Sequence, residues 1–324
     1  MAPANESNLI QLHAGAAQAT IDPSRGATMT RVRFTDGFER LWMPTPLPDP
    51  GQWPGGGLPV CFPFAGRVWH EGTVGRYKLP PFDTARMAVY DMPIHGFAAL
   101  MPWKVVEREQ DRVTLELKDT AETRLKYPFS FRLLLSYALT ATRLRVEIHV
   151  EAMSQDDKTG LMPVAAGFHP YFRLPEPYKD FSDYELTGHD TEAFAVTPEG
   201  RAGARSSLVA PWTKPLSDTF LHNRILGGRS PTNSEYPTGK MSTTLSVRPR
   251  QTPGSSITPQ SSLTNLTIMN DTPKTLRYKI LWAKPDLGFF CVEPWMALPD
   301  AVHHGDGCAF MKPTQSLILG FSIF

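Results

Sequence analysis

Cysteine, net charge and long apolar runs are all scarce in this 324-residue chain. Cys61, Cys291 and Cys308 are its three cysteines, and they form no CxxC pair and no evenly spaced framework. Zinc-finger and redox motifs are therefore absent, and so sparse and odd a count suits a reducing compartment. Lys and Arg total 33 against 32 Asp and Glu, a formal charge of +1. That balance excludes the basic footprint needed to bind nucleic acid or an anionic membrane. No run approaches the roughly 18 apolar residues of a membrane helix. The opening residues, MAPANESNLI, lack the basic and apolar regions of a secretory signal, so the expected location is the cytoplasm. Sequons at Asn5, Asn265 and Asn270 carry little meaning in that setting.

Helical periodicity is missing too: no stretch keeps apolar residues at i, i+3, i+4 and i+7 over three turns. What is abundant is proline, 31 residues, against a usual share of about 5%. Proline is poorly tolerated inside helices and central strands, so the chain is expected to consist of strands joined by many ordered turns. Period-two alternation agrees. Val113, Leu115 and Leu117 alternate with Thr114, Glu116 and Lys118, and Leu144, Val146, Ile148 and Val150 with Arg145, Glu147, His149 and Glu151. FRLLLSYAL, LRYKILWA, GFFCVEP and SLILGFSIF are more continuously apolar, the expectation for strands buried on both faces. The chain reads as all-β, one large sandwich domain over residues 1–324. Within the Ser/Thr/Pro-rich segment from Arg229 to Pro259, MSTTLSVRP is strand-like, so the segment reads as turns around a strand. The long irregular loop from Pro44 to Gly57 is a candidate functional loop.

Four islands place ionisable residues in apolar stretches punctuated by Pro and Gly. GGGLPVCFPFAGRV ends near Arg67, either a surface arginine whose stem covers the core or a five-donor fork for substrate oxygens. MPIHGFAALMPW holds His95, a turn residue or a site residue. In AAGFHPYFRLP, aromatics around His169 make either a stacking floor for a sugar or a core corner. FFCVEPWMALPDAV places Glu293 at the end of a very apolar strand. A buried carboxylate there must be hydrogen-bonded or carry a raised pKa, the state a general base near neutral pH requires. Other features are weaker. His70-Glu71 starts no HExxH because position 74 is Val, and His303-His304 reads as a solvated loop or a metal pair. Gly55-Gly56-Gly57 is followed by no helix, and GxSxG and P-loop motifs are absent, which disfavours nicotinamide, nucleotide and serine-hydrolase chemistry.

Taken in order, the islands resemble the aldose 1-epimerase (galactose mutarotase-like) family: FPFAGR, HGF, HPYF and CVEPW stand where that family has Phe-Pro ending in Arg, His-Gly, His-x-Tyr-Phe and Glu-Pro. Asp218 in SDTF is similar to the family's aspartate between the second His and the Glu, and ATIDPSRGATMTRVRF is similar to its opening hairpin. The resemblance implies a β supersandwich of large antiparallel sheets and interconversion of the α and β anomers of an aldose without cofactor or metal. It implies Glu293 as base at the C1 hydroxyl, His169 as acid at the ring oxygen and His95 as a hydrogen-bonding group beside it. Arg67 and Asp218 would fix sugar hydroxyls, and Phe64, Phe97, Tyr171 and Trp295 would line the pocket. The implied partner is a monosaccharide, and the protein a monomer or homodimer.

Galactose mutarotases of the family carry asparagines where this sequence has Gly66, Phe168 and Arg173, so the resemblance reaches the acid–base residues better than a preference for galactose. A hexose-6-phosphate substrate would call on Arg173, Arg76 or Lys284. The rival readings are a glycoside hydrolase with Glu293 and Asp218 as its carboxylate pair, a non-catalytic sugar-binding protein, and a metal site of His95, His169 and Glu293. Pro63, Pro93, Pro170 and Pro294 lie within four residues of Arg67, His95, His169 and Glu293 respectively, which is expected to stiffen those positions.

Overall fold

Alternation of polar and apolar side chains builds the larger of two sheets. The computed structural model describes residues 9–79, 88–153, 160–174, 180–227, 244–249, 266–272 and 274–324. Most of the 229–259 segment lies outside the described residues; its strand-like part forms a strand at Thr244–Pro249. That strand belongs to a nine-stranded antiparallel sheet that also holds Arg112–Lys118, Phe131–Leu139, Leu144–Ala152 and Ser316–Ile323. Val113, Leu115 and Leu117, and Leu144, Val146, Ile148 and Val150, all point inward and are buried. Each such side chain removed from water contributes roughly 1.5–3 kcal/mol, which fixes the register, since a one-residue slip would turn every one of them outward.

Phe131–Leu139 corrects one expectation. Its run FRLLLSYAL is buried only at alternate positions, with Leu134 and Ser136 half-buried on the outer face. In Ser316–Ile323 only the second half is buried throughout, and Ile318 is exposed. The outer face of this sheet meets solvent, and apolar residues there do not make it a second core.

The second sheet has eight strands among the described residues, all antiparallel to their neighbours. At its centre Tyr278–Lys284 pairs with Phe289–Trp295, whose seven residues are all buried. The other edge of Phe289–Trp295 pairs with two short segments, Gly167 with Trp295 and Tyr171 with Cys291. Val60–Cys61 pairs beyond Gly167–Phe168. The two large sheets pack face to face, with the Phe168 ring 4.9 Å from Phe321 of the larger sheet. Phe172 stacks 5.6 Å from Phe290 in the same layer. Helices are two short pieces among the described residues, Ala121–Lys126 and Ala301–His304, and no helix is long and apolar enough to cross a membrane. The fold is the expected antiparallel β architecture.

Candidate active site

Period two divides the central strands of the smaller sheet between two layers. From Phe289–Trp295, Phe290, Val292 and Pro294 face the core between the sheets, while Cys291, Glu293 and Trp295 face the other way. Their cross-strand partners on that second face are Trp282, Ile280 and Tyr278. The register on the opposite edge is continuous: Gly167 pairs with Trp295 and Tyr171 with Cys291, so His169 stands directly across from Glu293. The ladder is interrupted between those two pairs, where Pro170 and Pro294 have no N–H to give. His169 instead donates its backbone N–H to Pro59 O at 3.0 Å.

The result is an imidazole–carboxylate pair, His169 Nε2 lying 3.4 Å from Glu293 Oε1. His169 is 5% exposed and Glu293 2%. Burial pushes the Glu293 carboxyl well above the usual carboxylate range, with the Trp295 indole offsetting part of the rise. Burial, and next the neighbouring His95, hold His169 well below the usual imidazole range. Both shifts have one physical origin: each group would leave water to carry its charge. Each also keeps one polar atom without a partner, His169 Nδ1 and Glu293 Oε2. Buried orphan acceptors and donors are uncommon enough to mark a place where a ligand's polar atoms fit.

His95 reaches the pair from a different element. Its backbone is left-handed, φ 64°, and Gly96 follows at φ 75°. A Cβ on Gly96 would come within 2.0 Å of Phe62 O, so the turn closes only with glycine there. His95 N–H donates to Gly66 O at 2.8 Å, and Gly66 N–H donates back to His95 Nδ1 at 3.1 Å. Nδ1 is thus an acceptor, which leaves the ring proton of the neutral form on Nε2. Burial, assisted by Arg67, lowers the His95 pKa to about 3. Its ring stands nearly perpendicular to His169, centroids 4.9 Å apart.

Aromatic rings enclose the three. Tyr171 stacks on His169 at 4.6 Å, and Trp282 meets that ring edge-on at 5.9 Å. Trp295 lies 5.7 Å from His95. Trp53 stacks on His95 at 4.9 Å and donates from Nε1 to Tyr171 Oη at 3.0 Å. It comes from the Pro44–Gly57 loop, whose far end is tied in by the N–H of Tyr171 donating to Gly57 O at 2.8 Å. Trp53 and Trp282 were missed as individual site residues. The lone tryptophan in a loop already singled out was the available signal for Trp53; for Trp282 there was none, because only strand pairing brings it here.

The structure therefore brings Glu293, His169, His95, Tyr171 and Trp295 together. Arg67 is exposed beside the cluster, its side chain running past Gly200, and is close enough to bias His95. Two expected lining residues are elsewhere. Phe64 is buried against Tyr77 and Tyr127, and Phe97 against Phe62 and Phe131; both rings fill the main core. Asp218 caps a 3₁₀ turn: it accepts the N–H of Phe220 at 2.8 Å and pairs with Lys214 at 3.2 Å. Among the described residues neither partner belongs to the aromatic cage, and both Asp218 oxygens are taken up by its own turn and by Lys214. Of the basic candidates, Arg76 pairs with Asp91 at 3.2 Å. Arg173 and Lys284 are both cross-strand partners of Phe289, about 13 Å along the strands from the His169–Glu293 pair at a rise of ~3.3 Å per residue.

Solved structures with this fold include a galactose mutarotase related enzyme from Lactobacillus acidophilus, 20% identical with a TM-score of 0.73 over 97% of this chain and 96% of that one. A galactose mutarotase-like protein from Lactobacillus casei is 22% identical, with a TM-score of 0.72 over 97% and 99%. In sequence, the chain is similar to the plasmid protein LacX of Lactococcus lactis subsp. lactis, 30% identical over 161 residues, 48% of this chain and 50% of LacX. The chain thus spans about half the length of that curated relative. The aldose 1-epimerase family model matches residues 8–317, and on that match the chain belongs to the aldose 1-epimerase family.

Proposed function

We propose that the protein is a mutarotase that interconverts the α and β anomers of an aldose by acid–base ring opening, with Glu293 and His169 as the proton-transferring pair. The observation that carries this is the geometry of the pair. Nε2 and Oε1 face each other, while Nδ1 and Oε2, one on each partner, are left free and buried. Opening a hemiacetal ring needs one acceptor for the C1 hydroxyl proton and one donor for the ring oxygen at the same time. A pair that holds a single proton between them supplies both.

In the forward step the pair's one proton passes from Glu293 to His169 across their 3.4 Å contact, the Glu293 carboxylate takes the proton from the C1 hydroxyl, His169 gives its proton to the ring oxygen, and the C1–O5 bond breaks. The open-chain aldehyde turns about C1–C2. Reclosure then runs the proton transfers in reverse and delivers the other anomer, so the net proton count is unchanged. His95, kept neutral with its proton on Nε2, is suited to donate a hydrogen bond to the ring oxygen as negative charge gathers there. The exposed Arg67 offers its fork to sugar hydroxyls. Trp53, Tyr171 and Trp295 supply apolar faces for the sugar ring and keep bulk water from the pair.

Polarimetric relaxation of freshly dissolved α-glucose, α-galactose and their 6-phosphates tests the reading. Relaxation faster than in buffer for at least one sugar, lost on Glu293→Gln, is expected. Equal rates with and without enzyme across the panel would remove the catalytic reading for these sugars. Full activity in the variant would remove Glu293 from the mechanism.

A further inference from the structure

The site face holds two buried thiols that ring opening does not use, Cys61 and Cys291, and the second joins the acid–base residues. Cys291 lies two residues before Glu293 on the same strand, so both side chains emerge on the same face, and its cross-strand partner is Tyr171, which stacks on His169. Cys291 is buried and unoxidised. A nitrogen of His169, the sulfur of Cys291 and an oxygen of Glu293 all lie within 4.8 Å of one another. The donor set differs from the one the sequence suggested: His95 spends Nδ1 on the Gly66 N–H at 3.1 Å, and the thiol takes its place.

We propose that His169, Cys291 and Glu293 form a binding site for a thiophilic divalent cation of the Zn²⁺ class, at which cation and sugar exclude one another. Nitrogen, thiolate sulfur and carboxylate oxygen are the donors such ions prefer, and three protein ligands with an open fourth position are a common arrangement. Bonds of about 2.0–2.3 Å in a tetrahedral shell put donors roughly 3.5 Å apart. The cluster therefore needs to contract by only ~1 Å, within reach of rotation about the Cys and Glu side-chain bonds. Beside this donor cluster, His169 Nδ1 and Glu293 Oε2 are buried without partners, on residues 5% and 2% exposed. On binding, the thiol releases its proton and the His169–Glu293 pair releases the one it shares, both to solvent, as the sulfur, nitrogen and oxygen bonds to the metal form, and the same His169 and Glu293 are withdrawn from proton transfer. Exclusion of sugar rests on the proposed reaction; binding of the cation does not.

Calorimetric titration of Zn²⁺ into the chelator-treated full chain tests the site, alongside Cys291→Ser and, as a control, Cys308→Ser. One ion per chain is expected, with affinity at least tenfold lower in Cys291→Ser, unaltered in Cys308→Ser and reduced by excess sugar. Cys291→Ser should keep its mutarotation rate and lose inhibition by Zn²⁺. Equal affinity in wild type and Cys291→Ser, or no saturable binding, overturns the proposal. Co²⁺ loaded into the wild type gives a readout that needs no variant: a thiolate-to-cobalt charge-transfer band is expected, and saturable binding without it overturns the site. If the band appears and depends on Cys291 but no sugar relaxes faster than in buffer, the cation site stands and the mutarotase reading falls.

Discussion

The two large sheets differ in what their strands hide. In the nine-stranded sheet, Leu144–Ala152 buries one face and shows the other to water. In the eight-stranded sheet, Phe289–Trp295 is buried on both, one side against the core and one side against the aromatic cage. On its buried face the first strand is held by the hydrophobic effect. The second is held by it on one face and spends stability on the other, where Glu293 and His169 sit dehydrated with polar atoms unpaired. The lesson is that burial on both faces of a strand does not mean two equivalent cores: one face stabilises the fold and the other is kept at its expense.

Substitutions along the doubly buried strand separate those roles. Glu293→Gln is expected to lower the mutarotation rate by about 10²–10⁴-fold and yet stabilise the fold at neutral and higher pH. The sign follows from linkage. The folded carboxyl holds its proton above the unfolded value, so its contribution is present below the unfolded pKa and is lost as pH rises through the folded one. Thermal midpoints of wild type and variant should converge near pH 4 and separate in favour of the variant at pH 8; a variant less stable at pH 8 would contradict this. Phe290→Ala, on the core face three residues away, should cost about 3–5 kcal/mol of stability, measured by denaturant unfolding. Leu134→Ala on the outer face of the nine-stranded sheet should cost much less than Leu135→Ala, for which about 2–5 kcal/mol is expected. Equal losses at 134 and 135 would refute one-faced burial.

The pH profile of kcat/KM probes the pair without mutation. A second proton is hard to add because His169 is held low, and the last is hard to remove because Glu293 is held high. The acid limb should therefore fall below the usual histidine range and the alkaline limb above the usual carboxylate range; an acid limb at pH 6.5 would point to a hydrated His169. The smallest effect belongs to Trp53→Ala: aromatic stacking is worth about 0.5–1.5 kcal/mol, so kcat/KM should drop roughly tenfold or less while the thermal midpoint holds. A fall in stability comparable to that of Phe290→Ala would make Trp53 a core residue.

Much of this was legible in the residues. Alternation at Val113–Leu117 and Leu144–Val150 gave one-faced strands, and proline excess with missing helical periodicity gave the β class. His95, His169 and Glu293 stood out because ionisable groups in apolar surroundings need a reason to be there. FRLLLSYAL misled because apolar residues on a solvent face look the same in sequence as those on a second buried face. Phe64 and Phe97 misled because nearness to a site residue in sequence does not set a side chain's direction outside regular strands: the left-handed turn at His95 and Gly96 sends Phe97 into the main core, and Phe64 packs there on Tyr77 and Tyr127. Asp218 matched a motif position, and its local turn and Lys214 take its oxygens.

The sequence by itself determined the β class, the ionisable residues His95, His169 and Glu293 of the cluster and the loop from which Trp53 comes, because these depend on local pattern and on side-chain chemistry. Only the tertiary structure decided which groups meet. The register that sets His169 across from Glu293 joins segments more than 100 residues apart, and the hairpin pairing of Trp282 with Cys291 brings in a ring that no local pattern marked. The left-handed turn that aims His95 at them, and the placing of Cys291 beside them, likewise depend on distant chain. Such contacts are fixed by how sheets pair and pack, and that information is spread over the whole chain and not written at the residues it positions.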